Sequence, residues 1–490
     1  MTDASTKPNK IRQSFMSVGI NGNGAPTIFV IFGATGDLSR RKLMPALFDL
    51  YDKGFLPEEF KIVGFSRQAL NHDEFKESAL LAISGGKKRY NKKKAAKFTD
   101  HFLYQPGFFD NALHYQNLAE TLIALDERFG VCSNKLFYLA TPPALYETIL
   151  NNLANSGLTI PCGGAKGWTR VLVEKPFGRD IQAARKLDEL LGLLFKEEQI
   201  FRIDHYLAKE TVQNVLAFRF SNALFEPIWN NHYIERVELR LWESDGIAGR
   251  GEYYDGVGAL RDVGQNHILQ MLALVAMENP GTLSAAALMD KRALALEALL
   301  PITGDAIARQ TKRGQYAGFR KEKGVASRST TETFFKITAY IDNERWRDVP
   351  FYLESGKGMG DSKAEIVIYF KRPTNCLCSS EDHNHRNVLT FRVQPDEGIS
   401  ILFWAKKPGF DFDLKSKHLS FRYRDSAKER KLPDAYERIL YDCVRGDQTL
   451  FAGTRELQAA WKFIMPIIEG WGAIPLIEYR MGAGSDLTQS

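Results

Sequence analysis

The stretch TIFVIFGATGDLSRRKLMPALFDL, residues 27 to 50, predicts the fold of the first part of the chain. Its apolar run 28–32 predicts a buried strand, and the leucines between residues 38 and 50 recur at helical spacing. Between strand and helix stand Gly33 and Gly36, which let the backbone approach a ligand where a helix begins. The turn therefore predicts a nucleotide-phosphate site. Its spacing is GxxG rather than GxGxxG, so a tight helix-entry turn without a ligand stays open as the alternative.

Strands and helices continue to alternate over the first 200 residues. FKIVGFSRQAL (60–70), KLFYLATPP (135–143) and TRVLVEKPFG (169–178) predict strands, and NALHYQNLAETLIALDERF (111–129) predicts a helix. This alternation indicates a parallel sheet of the Rossmann type. Arg67 ends the second strand, where an arginine favours the 2′-phosphate of NADP and an acid favours the ribose of NAD.

A second polar turn, RIDHYLAKE at residues 202 to 210, lies between the apolar run IFRI and the helical pattern ETVQNVLAFRF. Proteins of the α/β class often place functional residues at such strand-to-helix turns. Lys175 stands at the end of an earlier strand, where it contacts a ligand or is an ordinary strand-end lysine. A solvated surface helix is the corresponding alternative for the turn.

The pattern changes after residue 230. HYIERVELRLWE (232–243) predicts a half-buried strand, LRDVGQNHILQMLALVAMEN (260–279) predicts a helix, and six strand-like stretches follow from residue 331. We therefore expect an α/β plus α+β protein with a large, mostly antiparallel second sheet. The expected divisions are a flexible tail at 1–26, a Rossmann NADP-binding domain at 27–200, and an α+β substrate-binding and oligomerisation domain at 201–490.

Composition narrows the class of protein. The chain has 490 residues, 44% of them hydrophobic and 25% charged, with a net charge of +6, as in ordinary globular proteins. The basic run 85–98 indicates a solvated helix face, with nucleic acid or an anionic substrate as alternatives. Five scattered cysteines favour the cytoplasm over a disulfide framework. No stretch has the roughly 18 apolar residues of a membrane span, so we expect no membrane partner. Because a solvated helix face is the favoured interpretation of the basic run, we expect no nucleic-acid partner either.

Four ordered motifs together resemble the glucose-6-phosphate dehydrogenase family: GATGDLSRRKL (33–43), EKPFG (174–178), RIDHYLAKE (202–210) and RDVGQNHILQ (261–270). The resemblance continues through AGRGEYYDGVGALRD, STTETF, NERWRDVPFYLESGK and RVQPDEG, and covers nearly the whole chain after residue 27.

The resemblance implies oxidation of β-D-glucose 6-phosphate at C1 to 6-phospho-D-glucono-1,5-lactone, the first oxidative step of the pentose phosphate pathway. A base must reach the C1 hydroxyl as hydride leaves C1, and histidine suits that role near neutral pH. By resemblance this base is His267, oriented by Asp204, because a neighbouring carboxylate favours the imidazolium form. Local sequence alone favours a core or helix-face histidine at this position.

The resemblance also implies the ligand-binding residues. The sugar phosphate contacts are His205, Tyr206 and Lys209, and the other substrate contacts are Lys175, Glu243, Asp262, Lys357 and Gln394. The cofactor is NADP, with NAD as second choice, and no metal is implied. Its contacts are Gly33, Thr35, Gly36, Asp37, Leu38, Arg67, Tyr146 and Lys175. Family members assemble as homodimers or homotetramers through the large sheet, and we expect the same here.

Some positions depart from the family pattern. Ala208 replaces a glycine. Ser362 replaces a basic residue near the phosphate, so that phosphate contact is weakened or is taken over by Lys363. Ser400 and Leu402 replace residues of the second, structural NADP site of animal enzymes, so we expect that site to be absent.

The stretch CLCSSEDHNH is not explained by the family. Cys376, Cys378, His383 and His385 have ligand types that suit zinc, whereas their spacing favours a polar hairpin loop.

Two rival functions stay open: a related Rossmann sugar dehydrogenase, which is not expected to combine RIDHYLAKE with DVGQNH, and a non-catalytic sugar-phosphate sensor, which would lose the base or the nicotinamide turn.

Overall fold

The computed structural model describes residues 25–85, 90–162, 167–373, 385–426 and 432–487, and the chain divides into two compact units. Unit 1 comprises Met1–Lys175, Leu187–Ile203 and Tyr436–Gln448. Unit 2 comprises Pro176–Lys186, Asp204–Ala435 and Thr449–Ser490.

Unit 1 contains a six-stranded parallel sheet in the order β3-β2-β1-β4-β5-β6. This is the doubly wound Rossmann order, and it reverses direction between β1 and β4, where such sheets bind ligands. All six residues of β1 are buried, as the apolar run predicted. The strands are β1 Thr27–Phe32, β2 Phe60–Ser66, β3 Phe102–Pro106, β4 Asn134–Leu139, β5 Thr169–Val173 and β6 Ile200–Arg202.

Unit 2 contains a nine-stranded sheet in the order β14-β13-β12-β11-β7-β10-β9-β8-β15. Six of the eight neighbouring pairs are antiparallel, whereas β7 with β10 and β8 with β15 are parallel. The predicted fold class is thereby confirmed. The strands are β7 Ile234–Glu243, β8 Thr311–Tyr316, β9 Phe334–Ala339, β10 Phe351–Lys357, β11 Lys363–Phe370, β12 Val388–Gln394, β13 Gly398–Lys406, β14 Leu414–Arg422 and β15 Leu476–Tyr479.

The helices carry the connections of both units, and two π-helical segments interrupt them at Ser39–Leu43 and Leu260–Ile268. The α-helices are α1 Met44–Asp52, α2 His72–Ser84, α3 Lys92–Thr99, α4 Ala112–Phe129, α5 Tyr146–Asn155, α6 Ile181–Leu194, α7 Glu210–Phe220, α8 Gly251–Tyr254, α9 Leu269–Ala276, α10 Ala285–Glu297, α11 Asp305–Gln310, α12 Tyr423–Ser426, α13 Ala435–Arg445 and α14 Thr454–Gly470.

The core of unit 2 lies between one sheet face and the helices. Leu239 of β7 and Leu353 of β10 share a buried cluster with Leu272 of α9 and Ile464 of α14. Every residue of α9 is buried, so this helix is enclosed on all sides. Burying one such side chain contributes about 1.5–3 kcal/mol. The segment Leu260–Ile268 runs directly into α9, and the core therefore fixes where its side chains point.

Sequence reasoning missed three strands. β3 contains glutamine and proline, β8 reads TKRGQY, and β15 has only four residues, so none has a strong apolar alternation. The structure also brings Cys132 and Cys162 together as one disulfide pair, which the expectation of no disulfide framework did not include. The two lie 30 residues apart, and the fold brings them together.

The part of the basic run that the structure describes from residue 92 onwards forms the exposed face of α3. Lys92, Lys93 and Lys94 are exposed, whereas Ala95 and Phe98 are buried beneath them. Among the residues that the structure describes, no helix is both long and apolar enough to span a bilayer.

Candidate active site

The glycine turn of unit 1 is shaped by close backbone contacts. Gly33 has φ +81°, and its N–H donates to the carbonyl oxygen of Phe65 at 2.9 Å. A Cβ atom at Gly33 would lie 2.5 Å from the carbonyl oxygen of Ala140, directly after β4. The turn thus lies between the ends of β1 and β4, and any side chain at residue 33 would fill it. This cradle fits the phosphates of a nucleotide.

The residues after Gly33 close the turn and start a helix. The N–H of Gly36 donates to the carbonyl oxygen of Gly33 at 2.8 Å, and Arg40 N–H donates to that of Gly36 at 3.1 Å. The hydroxyls of Thr35 and Ser66 are 2.8 Å apart, which ties the turn to the end of β2. Helical geometry begins with Asp37 and Leu38, as predicted for a phosphate-binding helix N-terminus.

The other predicted cofactor residues lie in the segments that follow β2, β4 and β5. Arg67 follows β2 and is exposed, so its guanidinium is accessible to an anionic ligand. Tyr146 is buried, and its hydroxyl donates to the carbonyl oxygen of Glu174 at 3.1 Å. Tyr138 donates to the Glu174 carboxylate at 2.6 Å. The two tyrosines therefore fix the strand end that carries half-buried Lys175.

In unit 2, the fold pairs Asp204 with His267. Their atoms Oδ1 and Nδ1 are 2.7 Å apart, and the exposed fractions of the two residues are 2% and 5%. The same carboxylate oxygen accepts the N–H of Tyr206 at 2.9 Å, which fixes the turn. The ring centroids of Tyr206 and His267 are 4.3 Å apart. This pair is suited to hold one imidazole tautomer in one orientation.

The histidine projects from the π-helical segment Leu260–Ile268, a geometry that often marks functional sites. Asn266 stabilises this segment, because its side-chain amide donates to the carbonyl oxygen of Asp262 at 3.0 Å and its oxygen accepts the N–H of His267. Sequence reasoning gave Asn266 no role, although the quoted motif contains it.

A second group surrounds Tyr206. Lys209 Nζ donates to Gln394 Oε1 and lies 4.9 Å from the Tyr206 ring centroid. Gln394 in turn donates to the Tyr206 hydroxyl at 3.3 Å. Burial raises the pKa of Tyr206, and the nearby carboxylates of Glu243 and Asp204 raise it further, so its hydroxyl remains a donor. His205 lies in the same turn. Cation, imidazole and hydroxyl together suit a phosphate dianion.

A third group surrounds Lys357 at the end of β10. Lys357 is only 3% exposed, and its ammonium group forms an ion pair with Glu243. Asp262 lies 3.8 Å from the same nitrogen. Two carboxylates and one buried ammonium place donors and acceptors close together, as recognition of sugar hydroxyls requires.

The departures from the family pattern have local explanations. Ala208 lies in a turn rather than a helix and does not adopt a positive φ, so its methyl group is accommodated. The Ser362 hydroxyl accepts the N–H of Ser244 at 2.8 Å. Lys363 Nζ lies 4.2 Å from the Trp242 ring centroid and 3.9 Å from Glu365. Lys363 therefore interacts with Trp242 and Glu365.

The candidate zinc ligands cannot be compared as a set, because Cys376, Cys378 and His383 lie outside the described residues. His385 is described, and its ring lies 4.2 Å from that of Trp404.

The chain is similar to known proteins over most of its length. The family model for the NAD binding domain of glucose-6-phosphate dehydrogenase matches residues 30–214, and the model for its C-terminal domain matches residues 216–487. A Mycobacterium tuberculosis protein named glucose-6-phosphate 1-dehydrogenase 2 is 41% identical over 91% of this chain and 89% of its own. The Bacillus subtilis glucose-6-phosphate 1-dehydrogenase is 38% identical over 94% of both chains.

Solved structures give the same result. A glucose-6-phosphate dehydrogenase in complex with glucose 6-phosphate superposes with a TM-score of 0.86 at 33% identity, covering 94% of this chain and 95% of that one. The glucose-6-phosphate 1-dehydrogenase of Mycobacterium avium has a TM-score of 0.81 at 31% identity, covering 94% of both. Sequence motifs, fold and relatives agree along almost the whole chain, which therefore belongs to the glucose-6-phosphate dehydrogenase family.

Proposed function

We propose that the protein oxidises β-D-glucose 6-phosphate at C1 to 6-phospho-D-glucono-1,5-lactone, with a bound NADP+ as the hydride acceptor. The observation that carries this proposal is the buried contact between Asp204 and His267. A sugar-phosphate sensor would have no use for a buried carboxylate that orients an imidazole.

His267 serves as the base in this proposal. With Nδ1–H donating to Asp204, the lone pair on Nε2 accepts the proton of the C1 hydroxyl. The Asp204 carboxylate stabilises the imidazolium that forms. A positioned base of this kind contributes roughly 10²- to 10⁴-fold in rate.

The other residues of the candidate site in unit 2 bind the substrate. His205, Tyr206 and Lys209 contact the phosphate, because they supply donors and positive charge beside one turn. The hydroxyl contacts are Glu243, Asp262, Lys357 and Gln394, with Lys175 from the end of β5 added by resemblance to the family.

The residues of the glycine turn would hold the cofactor. Gly33 and Gly36 leave room for the phosphates, and the helix N-terminus favours their negative charge. Exposed Arg67 supports NADP over NAD, because an arginine at this position accommodates a 2′-phosphate. The remaining contacts are Thr35, Asp37, Leu38, Tyr146 and Lys175. Because Ser400 and Leu402 replace residues of the structural site, NADP titration should give one site per chain.

Homodimer or homotetramer assembly is part of the proposal. The edge strand β14 exposes Leu419 and Phe421, whose exposed fractions are 61% and 43%. Exposed apolar residues on a sheet edge are typical of a surface that a partner covers. Light scattering of the purified protein measures the assembly, and Leu419→Lys should reduce it.

A cytoplasmic location is the last part of the proposal, because five cysteines, even with the one pair Cys132–Cys162, are too few for the disulfide framework of a secreted protein. Cell fractionation tests it.

The direct test of the activity is absorbance of reduced nicotinamide with glucose 6-phosphate and either NADP or NAD. Wild type should be active, with NADP preferred, and His267→Asn should lose most of kcat. A wild type that binds glucose 6-phosphate but reduces neither cofactor would favour the sensor. Full activity of His267→Asn would exclude His267 as the base.

A further inference from the structure

The segment Ser329–Thr333, which we call the clamp segment, runs between two parts of the candidate substrate site. On one side it contacts the turn 255–260, which leads into the π-helical segment of Asp262 and His267. On the other side it contacts the end of β10, where Lys357 lies. None of the residues of the clamp segment belongs to the predicted site.

The first side of the clamp segment holds the turn before the helix. The Thr331 hydroxyl donates to the Asp255 carboxylate at 2.8 Å and accepts the N–H of Gly256 at 2.8 Å. Ser329 donates to the same carboxylate. These bonds fix the backbone of the turn, whose glycines would otherwise leave it free to take many conformations.

Glu332 then anchors the first residues of the helical segment. Its carboxylate accepts the N–H of Leu260 at 3.1 Å, and its main-chain carbonyl accepts the N–H of Ala259 at 3.0 Å. The side chain approaches so closely that a Cβ atom at Gly258 would lie 2.2 Å from Glu332 Oε1. A hydrogen-bond acceptor at this end of a helix is favourable, because the N–H groups there lack partners within the helix.

Thr333 holds the opposite side. Its carbonyl oxygen accepts the N–H of Lys357 at 2.9 Å, and its hydroxyl lies 2.8 Å from the hydroxyl of Tyr479. Tyr479 donates to the carbonyl oxygen of Lys357 at 2.6 Å. The backbone of Lys357 is thus held at both its N–H and its carbonyl oxygen.

We propose that the clamp segment positions the side chains of the candidate substrate site. Glu332 fixes the position of the helical segment that carries Asp262 and His267, and Thr333 fixes the position of Lys357 relative to that segment. The Lys357–Asp262 separation of 3.8 Å then depends on consecutive residues of one short segment. This role rests on the proposed function of the site. Displacements of about 1 Å at an active site lower rates by on the order of 100-fold, which makes such positioning consequential.

The test compares Glu332→Ala and Thr333→Val with conservative and control variants. Glu332→Gln keeps an acceptor for Leu260, and Thr333→Ser keeps the hydroxyl that contacts Tyr479. Thr311→Val is the matched control, because the buried Thr311 hydroxyl donates to Ile307 at 2.7 Å and accepts from Trp471 at 2.9 Å in the same sheet. Its contacts do not reach the substrate residues.

The expected results separate the two sides. Glu332→Ala should lower kcat roughly tenfold, since it releases the helix of the base, and Thr333→Val should raise the KM for glucose 6-phosphate by a similar factor. The Gln and Ser variants should stay within about threefold of wild type, and Thr311→Val should lose only thermal stability. Calorimetric binding of glucose 6-phosphate without cofactor should show the Thr333→Val effect as well.

Two results would overturn the proposal. One is that Glu332→Ala and Thr333→Val keep wild-type kcat and KM, as Thr311→Val is expected to do. The other is that all three variants lose kcat equally, which would indicate general destabilisation. If Glu332→Ala does not fold, Glu332→Asp decides, because it retracts the acceptor from Leu260 and normal kcat would contradict the clamp. An inactive wild type would contradict the proposed function instead, and the calorimetric comparison would still decide the role of Thr333.

Discussion

The glycine turn of unit 1 and the acid–base cluster of unit 2 are built in opposite ways. The turn uses the backbone of neighbouring residues, such as Gly33 and Gly36, and forbids a side chain at residue 33. The cluster uses side chains from distant positions, since Asp204 and His267 lie 63 residues apart and Lys209 and Gln394 lie 185 apart. A phosphate cradle can therefore be encoded locally, whereas the cluster needs a folded sheet and helix.

The difference predicts different weaknesses. Replacing a charge should damage the cluster and leave the turn intact, whereas adding a methyl group should damage the turn and leave the cluster intact. Variants in each region test this contrast.

Asp204→Asn should lower kcat by roughly 10²- to 10⁴-fold, because the amide cannot stabilise the imidazolium of His267. Steady-state absorbance measures the loss, and fluorescence titration with reduced NADP should show unchanged cofactor binding. Asp188→Asn is the control, since it removes a carboxylate that pairs with buried Arg202 at 2.6 Å in unit 1. A comparable loss of kcat in that control would show that general destabilisation explains the effect.

Glu332→Gln should change the pH dependence of stability. Burial raises the pKa of Glu332 from 4.5 to about 7. The hydrogen bond from Leu260 and the charges of Arg261 and Arg313 lower this pKa, but the effect of burial is larger. The folded state therefore holds a proton that the unfolded state has lost, and this stabilisation is present below pH 4.5 and lost as the pH rises through about 7. Between pH 4.5 and about 7, the free energy of unfolding of the wild type should fall by roughly 3 kcal/mol more than that of the variant.

Urea unfolding at several pH values measures this difference. Burial also raises the pKa of Asp442 to about 6, so Asp442→Asn is the control and should leave the change near pH 7 in place. Parallel curves for wild type and Glu332→Gln would contradict the assignment.

Gly33→Ala should weaken cofactor binding by about 10- to 100-fold, because its Cβ would lie 2.5 Å from the Ala140 carbonyl oxygen at a φ of +81°. Gly130→Ala is matched in conformation, with φ +67° and open space around its Cβ position. It should show only the backbone strain, of about 1 kcal/mol. Calorimetry with glucose 6-phosphate should detect no change in either variant. Equal cofactor affinities of the two variants would show that space at residue 33 is unimportant.

Arg67→Ala should have the smallest effect, a roughly tenfold higher KM for NADP with little change for NAD, because one exposed charge–phosphate contact is lost. Arg128→Ala removes the same charge from an exposed position of α4 and should leave both values unchanged. A parallel rise in both KM values for Arg67→Ala would assign the arginine to a part shared by the two cofactors.

The same contrast explains what the sequence could predict. The strand, glycine turn and helix after residue 27 follow from local pattern, and they lie where expected. The parallel pairing of β8 with β15 joins segments about 160 residues apart, and no local periodicity reports it. The pairing of Asp204 with His267 was expected only from the family resemblance. Glu332 stands in the first of the strand-like stretches that begin at residue 331, and its role was missed because no local pattern shows that the fold buries its carboxylate against Leu260.

Unit 1 includes Tyr436–Gln448 in addition to its N-terminal part. Within it, Arg170 donates to the carbonyl oxygens of Cys443 and Val444 at 2.7 and 2.8 Å, and Lys53 pairs with Glu437. During translation, the rest of the nucleotide-binding unit, which ends at Ile203, therefore emerges from the ribosome about 230 residues before the segment that begins at Tyr436. It must wait for most of unit 2 to be synthesised before completing its own packing, which makes the ribosome-bound nascent chain a natural client for chaperones.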